Sequence, residues 1–222
     1  LDQSGASYIQ NNFDLNIPYR IIPTATEINK YELIDIKKTA NKKIIKFVFL
    51  GGANFPYLPK RALEFANFLL SNKINCSVDI INQRHHRVVS KVIKEVDFPR
   101  DKVKVFPLKP NQVFQKLPKY DCGLVFIETG KWIRMSSPTK IGEYLAAGLH
   151  IIGLEGIEVL ERLSKETNCV DVLPRNLNNE KYNLNSVKHI VEKIRNIKRI
   201  DNSLETAKKY YSLDKALNNY LE

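Results

Sequence analysis

Short apolar runs alternate with amphipathic stretches along the central part of the chain. The run from Ile44 to Leu50 is apolar with almost no alternation, which is the pattern of a central strand in a parallel sheet. The pattern predicts further strands at Asn75–Ile81, Val103–Phe106, Asp121–Ile127, His150–Leu154 and Cys169–Leu173. Helices are predicted between them, from Pro59 and at Arg87–Val96, Pro110–Leu117, Ser137–Ala147 and Gly156–Thr167. We therefore predict an α/β fold, a doubly wound, Rossmann-like parallel sheet of about six strands with helices on both faces.

Two segments flank this alternation. In residues 1–43 we predict a short helix at Ser4–Asn12, a short strand at Tyr19–Pro23 and a solvated linker up to residue 43. Residues 44–182 hold the predicted sheet. Residues 183–222 are predicted to be helical, at Leu184–Ile197 and Ser203–Leu221.

One helix, starting near Ser137, has an unusual polar beginning. Ser137 suits the N-cap, the following Pro138 suits the first helical position, and Gly148 suits the end. Thr139 and Lys140 add a hydroxyl and a charge to the free amides of the first turn, a combination typical of anion sites. Glu143 lies one turn further along the same face, where a carboxylate can accept hydrogen bonds from sugar hydroxyls. An ordinary capped helix with a solvated Lys–Glu pair explains the same residues.

Loops after the strands hold the other candidates, because ligands of parallel sheets bind beyond the carboxyl ends of the strands. Gly51 and Gly52 follow the first strand and would let backbone amides approach a phosphate, with Lys60 and Arg61 close behind. The spacing is neither a Walker A sequence nor G-x-G-x-x-G, and a plain turn with solvated cations fits as well. The loop at Leu108 follows the third strand, and packed aromatic residues in a turn also account for it.

Composition narrows the function only in part. The net charge of +11 and the pI of about 9.5 favour polyanions, anionic membranes or phosphorylated ligands. The lysines are spread along the chain, and no RRM, KH or zinc-finger pattern is present. No apolar run is long enough for a membrane span. The three cysteines are far apart and are expected to be buried free thiols, and no metal cluster or catalytic triad stands out.

The stretch PTKIGEYLAAGL from Pro138 to Leu149 resembles the signature P-T-K-(L/I)-x-E-Y-L-A-A-G-(L/K) of group 1, GT4-like glycosyltransferases of the GT-B fold. In that family the signature lies in the C-terminal, donor-binding domain. The resemblance implies that residues 44–182 bind a nucleotide sugar and that residues 1–43 are an interdomain or crossover segment. It also implies that residues 183–222 pack on this domain or on a missing N-terminal domain. The passage from Ile21 to Thr26 is similar to the family's interdomain passage.

The resemblance also assigns roles to the candidate residues. Lys140 and the helix start, with Ser136, Ser137 and Thr139, would lie by the donor diphosphate, and Glu143 would contact the ribose. The turn at Gly51 and Gly52, with Lys60 or Arg61, would hold the phosphates, and the loop at Leu108 would lie beside the base through its backbone.

One position departs from the family pattern. Many members carry a second glutamate eight residues before Glu143, where this chain has Met135. Glu128 is a candidate substitute for that acid, and Trp132 could stack on a base or an acceptor or simply pack within its loop. No catalytic residue is assigned.

The implied activity is sugar transfer from a UDP- or GDP-sugar to a hydroxyl acceptor, in surface glycan or polysaccharide biosynthesis. No metal or other cofactor and no nucleic acid is expected. The first residue is not Met, which indicates a fragment. The resemblance implies that this fragment lacks an N-terminal acceptor domain and is inactive alone. A cytoplasmic location with peripheral contact to the inner face of the membrane is expected. Two alternatives stay open: a UDP-sugar epimerase of the same architecture, and a basic module that binds nucleic acid or a membrane surface.

Overall fold

The computed structural model of the protein describes residues 3–14, 18, 24–32, 43–130, 133, 136–176 and 183–221. Its helices and strands follow in chain order: α1 (Gln3–Phe13), α2 (Asn29–Glu32), β1 (Ile45–Leu50), α3 (Pro59–Ser71), β2 (Cys76–Ile81), α4 (His86–Glu95), η1 (Arg100–Lys102), β3 (Val103–Phe106), α5 (Pro110–Lys116), η2 (Leu117–Lys119), β4 (Cys122–Val125), α6 (Thr139–Ala146), β5 (His150–Leu154), α7 (Glu158–Glu166), β6 (Val170–Leu173), α8 (Leu184–Arg195), α9 (Arg199–Tyr211) and α10 (Leu213–Leu221), where η marks a 3₁₀ helix.

The six strands form one parallel sheet in the order β3-β2-β1-β4-β5-β6. The predicted doubly wound α/β fold is therefore confirmed. The chain builds outward from β1 to β3, then returns to place β4 on the other side of β1. At this switch the loops after β1 and β4 diverge and leave a crevice at the carboxyl ends of the strands. The order of the strands thus decides where a ligand site can form.

Apolar side chains cover most of both faces of the sheet, as the largely apolar strands require. One face packs against α3, α4 and α8, and its centre is the edge-to-face contact of Phe47 with Phe65. The other face packs against α5, α6, α7 and α9, with Tyr144 and Tyr211 among its largest buried side chains. The three cysteines are buried and free, as predicted.

One buried and one half-buried ion pair attach the C-terminal helices to the start of the strands. Arg199 of α9 donates a 3.0 Å hydrogen bond to Asp121, just before β4. Lys193 of α8 lies 2.8 Å from Asp171 of β6, which also bonds His150 of β5 at 2.7 Å. Helices α8 and α9 therefore belong to the sheet unit. No helix among the described residues is both long and apolar enough to cross a bilayer.

Several predicted element ends were wrong. The long helix predicted at Ser203–Leu221 is two helices, because the backbone of Ser212 is extended and pairs with Thr26. The helix predicted to start at Ser137 begins at Thr139, and the N-cap is Pro138, so Ser137 is not the cap. Gly148 does end that helix, with a positive φ of 73°.

The structure describes only part of the N-terminal segment, so only part of its prediction can be compared. Helix α2 was not predicted. The strand predicted at residues 19–23 lies outside the described residues, as does the linker at residues 33–42.

Candidate functional site

Helix α6 is tied to the end of β1 by two of its polar side chains. The amine of Lys140 donates to the carbonyl of Leu50 at 2.7 Å, and the hydroxyl of Tyr144 accepts from the amide of Leu50 at 2.8 Å. Both side chains are buried, since Lys140 is 7% exposed and Tyr144 is 0% exposed. The pair of contacts holds the start of α6 against the carboxyl end of the central strand.

The electrostatics of α6 are unusual because its two charged groups lie in a poorly hydrated place. Burial lowers the pKa of the Lys140 amine to about 7, and the carboxylate of Glu143 opposes that shift. Burial likewise raises the pKa of Glu143, and Lys140 opposes that shift. Near neutral pH the Lys140 amine is therefore poised between its two protonation states.

A cleft of about 370 Å³ opens at the carboxyl ends of β1, β2 and β3. Its lining comes from four loops or helices, with Leu50, Gly51, Gly52, Ile81, Asn82, Gln83, Arg84, His85, Leu108, Pro110, Val113 and Glu143. We call it the donor cleft, after the role that we propose for it below. Four of the predicted site residues, Gly51, Gly52, Leu108 and Glu143, therefore meet in one place.

Tyr57 covers the glycine turn and the Lys140 amine. A Cβ added to Gly51 would lie 2.7 Å from the Tyr57 ring and 2.9 Å from the Lys140 amine, and one added to Gly52 would lie 2.9 Å from the ring. The Lys140 amine is 4.0 Å from the centre of the same ring. The two glycines are thus needed to admit the ring of Tyr57, which the sequence did not indicate.

The loop after β2 forms a wall of the donor cleft that the sequence analysis missed. Asn82, 2% exposed, donates to the carbonyl of Gly51 at 3.0 Å and accepts from the amides of Arg84 and His85. Gln83 donates to the carbonyl of Leu108 at 2.8 Å. The sequence signal that could have identified this wall is the run of polar residues directly after the buried strand β2. His85 also lines this wall.

A second cleft, of about 560 Å³, lies on the other side of Glu143. Thr139 lines it together with Glu143, α5 and the segment from Ala25 to Tyr31. Tyr31 and Phe114 meet there edge to face, with ring centres 6.3 Å apart. The carboxylate of Glu143 therefore belongs to both clefts, whereas Thr139 belongs to the second only.

The other five predicted site residues are in neither described lining: Lys140 lies behind the glycine turn, and the remaining four lie elsewhere. Lys60 and Arg61 lie on the exposed face of α3. Lys60 pairs with Glu95 of α4 at 3.4 Å, and Arg61 pairs with Glu64 of α3 at 3.0 Å. The other two precede α6. The Ser136 hydroxyl donates to the carbonyl of Ile133, and the Ser137 carbonyl accepts from the hydroxyl of Thr24.

The loop after β4 carries the proposed substitute acid. Glu128 bonds Arg175 at 2.9 Å, and Arg175 also donates to the carbonyls of Ile127 and Glu155. Glu128 thus joins the loops after β4 and β6. Trp132 and Met135 lie outside the described residues.

Comparisons with known proteins identify the fold but no sequence family. No protein-family profile and no curated protein matches the sequence. Among solved structures, a glycosyltransferase from Rickettsia africae matches with a TM-score of 0.67 and 11% identity, over 98% of this chain and 59% of that one. Anabaena Alr3699/HepE, in complex with UDP and glucose, matches with a TM-score of 0.63 and 11% identity, over 91% of this chain and 55% of that one. The pneumococcal O-GlcNAc transferase GtfA, in complex with UDP and GlcNAc, matches with a TM-score of 0.54 and 12% identity, over 99% of this chain and 42% of that one.

The chain therefore spans about half the length of these glycosyltransferases and has the fold of that half. The GT-B fold that the sequence resemblance implied is confirmed at this level.

Proposed function

We propose that this chain is the donor-binding half of a glycosyltransferase that uses a UDP- or GDP-sugar. The observation that carries the proposal is the shared position of Glu143, Leu108 and the glycine turn in one cleft, with the Lys140 amine behind the turn. This cleft lies at the switch point of the sheet, where doubly wound folds bind nucleotides. The likeness to glycosyltransferase structures, two of them with UDP bound, supports the same function.

Sugar transfer breaks the bond between the sugar's anomeric carbon and the diphosphate oxygen, and that oxygen keeps the bonding electrons. A bond from the acceptor oxygen to the anomeric carbon forms, and the acceptor proton goes to a base outside the residues assigned here. Lys140 and the amides of the glycine turn would stabilise the leaving diphosphate. Because the Tyr57 ring covers both, the diphosphate must displace this ring to reach them.

The nucleoside would occupy the rest of the donor cleft. The half-buried carboxylate of Glu143 would accept hydrogen bonds from the ribose hydroxyls, and the backbone at Leu108 would face the base. Gln83 holds the Leu108 carbonyl at 2.8 Å and so fixes that loop. Two predicted phosphate contacts, Lys60 and Arg61, have no part in this proposal, because both are exposed on α3 outside the donor cleft, where Lys60 pairs with Glu95 of α4 and Arg61 with Glu64 of α3.

The acceptor and the base for its proton would come from an N-terminal domain outside this sequence. The chain spans about half of the similar structures, which supports this division. We therefore propose that the chain binds nucleotide but transfers no sugar by itself. Surface glycan synthesis on the cytoplasmic side of a membrane is the pathway that the sequence resemblance supports.

Titration calorimetry with UDP, GDP and a short single-stranded oligonucleotide, at low and high salt, tests the proposal. We expect UDP or GDP to bind with little salt dependence and the oligonucleotide to bind weakly. Tight, strongly salt-dependent oligonucleotide binding without nucleotide binding would show a nucleic-acid module instead. Sugar transfer by the chain alone would overturn the division into donor and acceptor halves.

A further inference from the structure

Polar residues occupy part of a sheet face that parallel sheets usually keep apolar. Lys46 of β1 pairs with Ser77 of β2, and Asp79 of β2 pairs with Lys104 of β3. All four lie on the face that packs α5 further along, with Lys46, Ser77 and Lys104 each second in its strand and Asp79 near the middle of β2. Lys46 and Lys104 are exposed because α5, with seven residues, leaves this part of the face open. Exposed lysines are unusual at these positions, since the strands of a parallel sheet are normally buried on both faces.

The open face is the floor of a cleft of about 340 Å³. Five lysines and two aspartates line it, Lys46, Lys102, Lys104, Lys116, Lys119, Asp79 and Asp101. We call it the lysine cleft. Asp79 accepts a 2.7 Å hydrogen bond from the hydroxyl of Tyr120, which also lines the cleft. Among the described residues, no carboxylate lies within ion-pair distance of any of the five lysines. The cleft is therefore strongly positive.

We propose that the lysine cleft docks the protein on an anionic phospholipid bilayer. Every cation in it is a lysine, a compact charge that suits many separate headgroups, whereas a single phosphate site favours the planar fork of arginine. Ile44 lies at the same cleft with 38% of its surface exposed. An apolar side chain among lysines matches the boundary between headgroups and acyl chains.

A nucleic acid fits the lysine cleft less well. Proteins that bind single strands stack bases on exposed aromatic rings. The one aromatic side chain in the described lining, Tyr120, is 4% exposed and its hydroxyl is held by Asp79. The cleft therefore offers charge without a stacking platform.

The position of the lysine cleft separates it from the donor cleft. Its strand residues lie near the starts of β1 and β3 and no further than Asp79 in β2, whereas the donor cleft lies beyond the carboxyl ends of the same strands. A bilayer at the lysine cleft would leave the donor cleft open. Membrane docking and nucleotide binding should therefore be independent, and either can fail without the other.

Co-sedimentation with vesicles tests the proposal. The protein should bind vesicles of mixed phosphatidylcholine and phosphatidylglycerol, lose that binding at high salt, and ignore phosphatidylcholine alone. Neutralising the three exposed lysines of the cleft, with Lys46→Gln, Lys104→Gln and Lys119→Gln together, should weaken binding at least about tenfold. Replacing the same three by arginine should retain it.

A matched control separates the cleft from bulk charge. Lys94→Gln, Lys165→Gln and Lys188→Gln remove three exposed lysines from α4, α7 and α8, so both triple variants have the same net charge. The control should bind vesicles like the unaltered protein, and both variants should keep their nucleotide affinity and melting temperature. Equal losses in the two variants, no loss in the cleft variant, or cleft-dependent binding of an oligonucleotide without vesicle binding would each overturn the proposal.

Discussion

The amine of Lys140 donates a 2.7 Å hydrogen bond to the carbonyl of Leu50, the last residue of the central strand. This contact puts the one buried lysine of the described chain at the switch point of the sheet. A buried amine is costly unless something compensates it, and here the compensation is a carbonyl and the ring of Tyr57. A diphosphate that displaces the ring would give the amine a stronger partner.

Lys140→Met should weaken UDP binding at least about tenfold, because a charged hydrogen bond to phosphate contributes about 1.5–3 kcal/mol. Uridine, which has no phosphate, should bind both proteins alike. Lys60→Met is the matched control, since Lys60 lies on the exposed face of α3, where it pairs with Glu95 of α4 and does not line the donor cleft. Calorimetry measures all of these affinities. An equal loss of uridine and UDP affinity would show that the substitution damages the cleft rather than the phosphate contact.

The affinity for UDP should depend on pH through Lys140. The pKa of its amine is lowered to about 7, so the charged form that binds phosphate is abundant below that value and declines above it. UDP affinity should therefore fall as the pH rises from about 6 to about 8.5, while uridine affinity stays level. The Lys140→Met variant should lose this slope. A rise of UDP affinity over the same range would contradict the assignment.

Glu143→Gln should remove the preference for a ribose with free hydroxyls. The carboxylate accepts two hydrogen bonds well, whereas the amide of glutamine offers one oxygen. UDP should bind the unaltered protein several-fold more tightly than 2′,3′-dideoxy-UDP, and the variant should bind the two alike. A variant that keeps the full preference would place the ribose elsewhere.

Gly123→Ala should destabilise the fold near the site. A Cβ on Gly123 of β4 would lie 2.2 Å from the ring of Tyr144, whose hydroxyl holds the end of β1. Overpacking of this kind costs about 1–3 kcal/mol, which lowers the melting temperature by roughly 2–4 °C per kcal/mol. Gly130→Ala is the control, since its Cβ would meet nothing within 4 Å. Equal melting temperatures in the two variants would contradict the packing described here.

The sequence predicted most of the sheet because buried parallel strands leave a local signature. The bounds of β5, His150–Leu154, are those predicted, since this strand is buried from end to end and all its residues after His150 are apolar. Lys140 and Glu143 were predicted as site residues for a similar reason, because both belong to one short helix with a recognisable local motif.

Contacts between distant segments were not predictable in this way. Tyr57 folds back over Gly51 through the loop after β1, and no local pattern marks that contact. Ser212 breaks the last helix where it pairs with Thr26, far away in sequence. Lys60 and Arg61 follow the glycine turn closely in sequence, but the phase of α3 turns them outward.

Amide NMR spectra recorded during a UDP titration show directly where on the chain the nucleotide binds. We expect saturable shifts at Gly51, Gly52, Leu108 and the first turn of α6, with no change at the lysine cleft. Shifts confined to Lys102 and Lys104, or none at the carboxyl ends of the strands, would contradict the proposal.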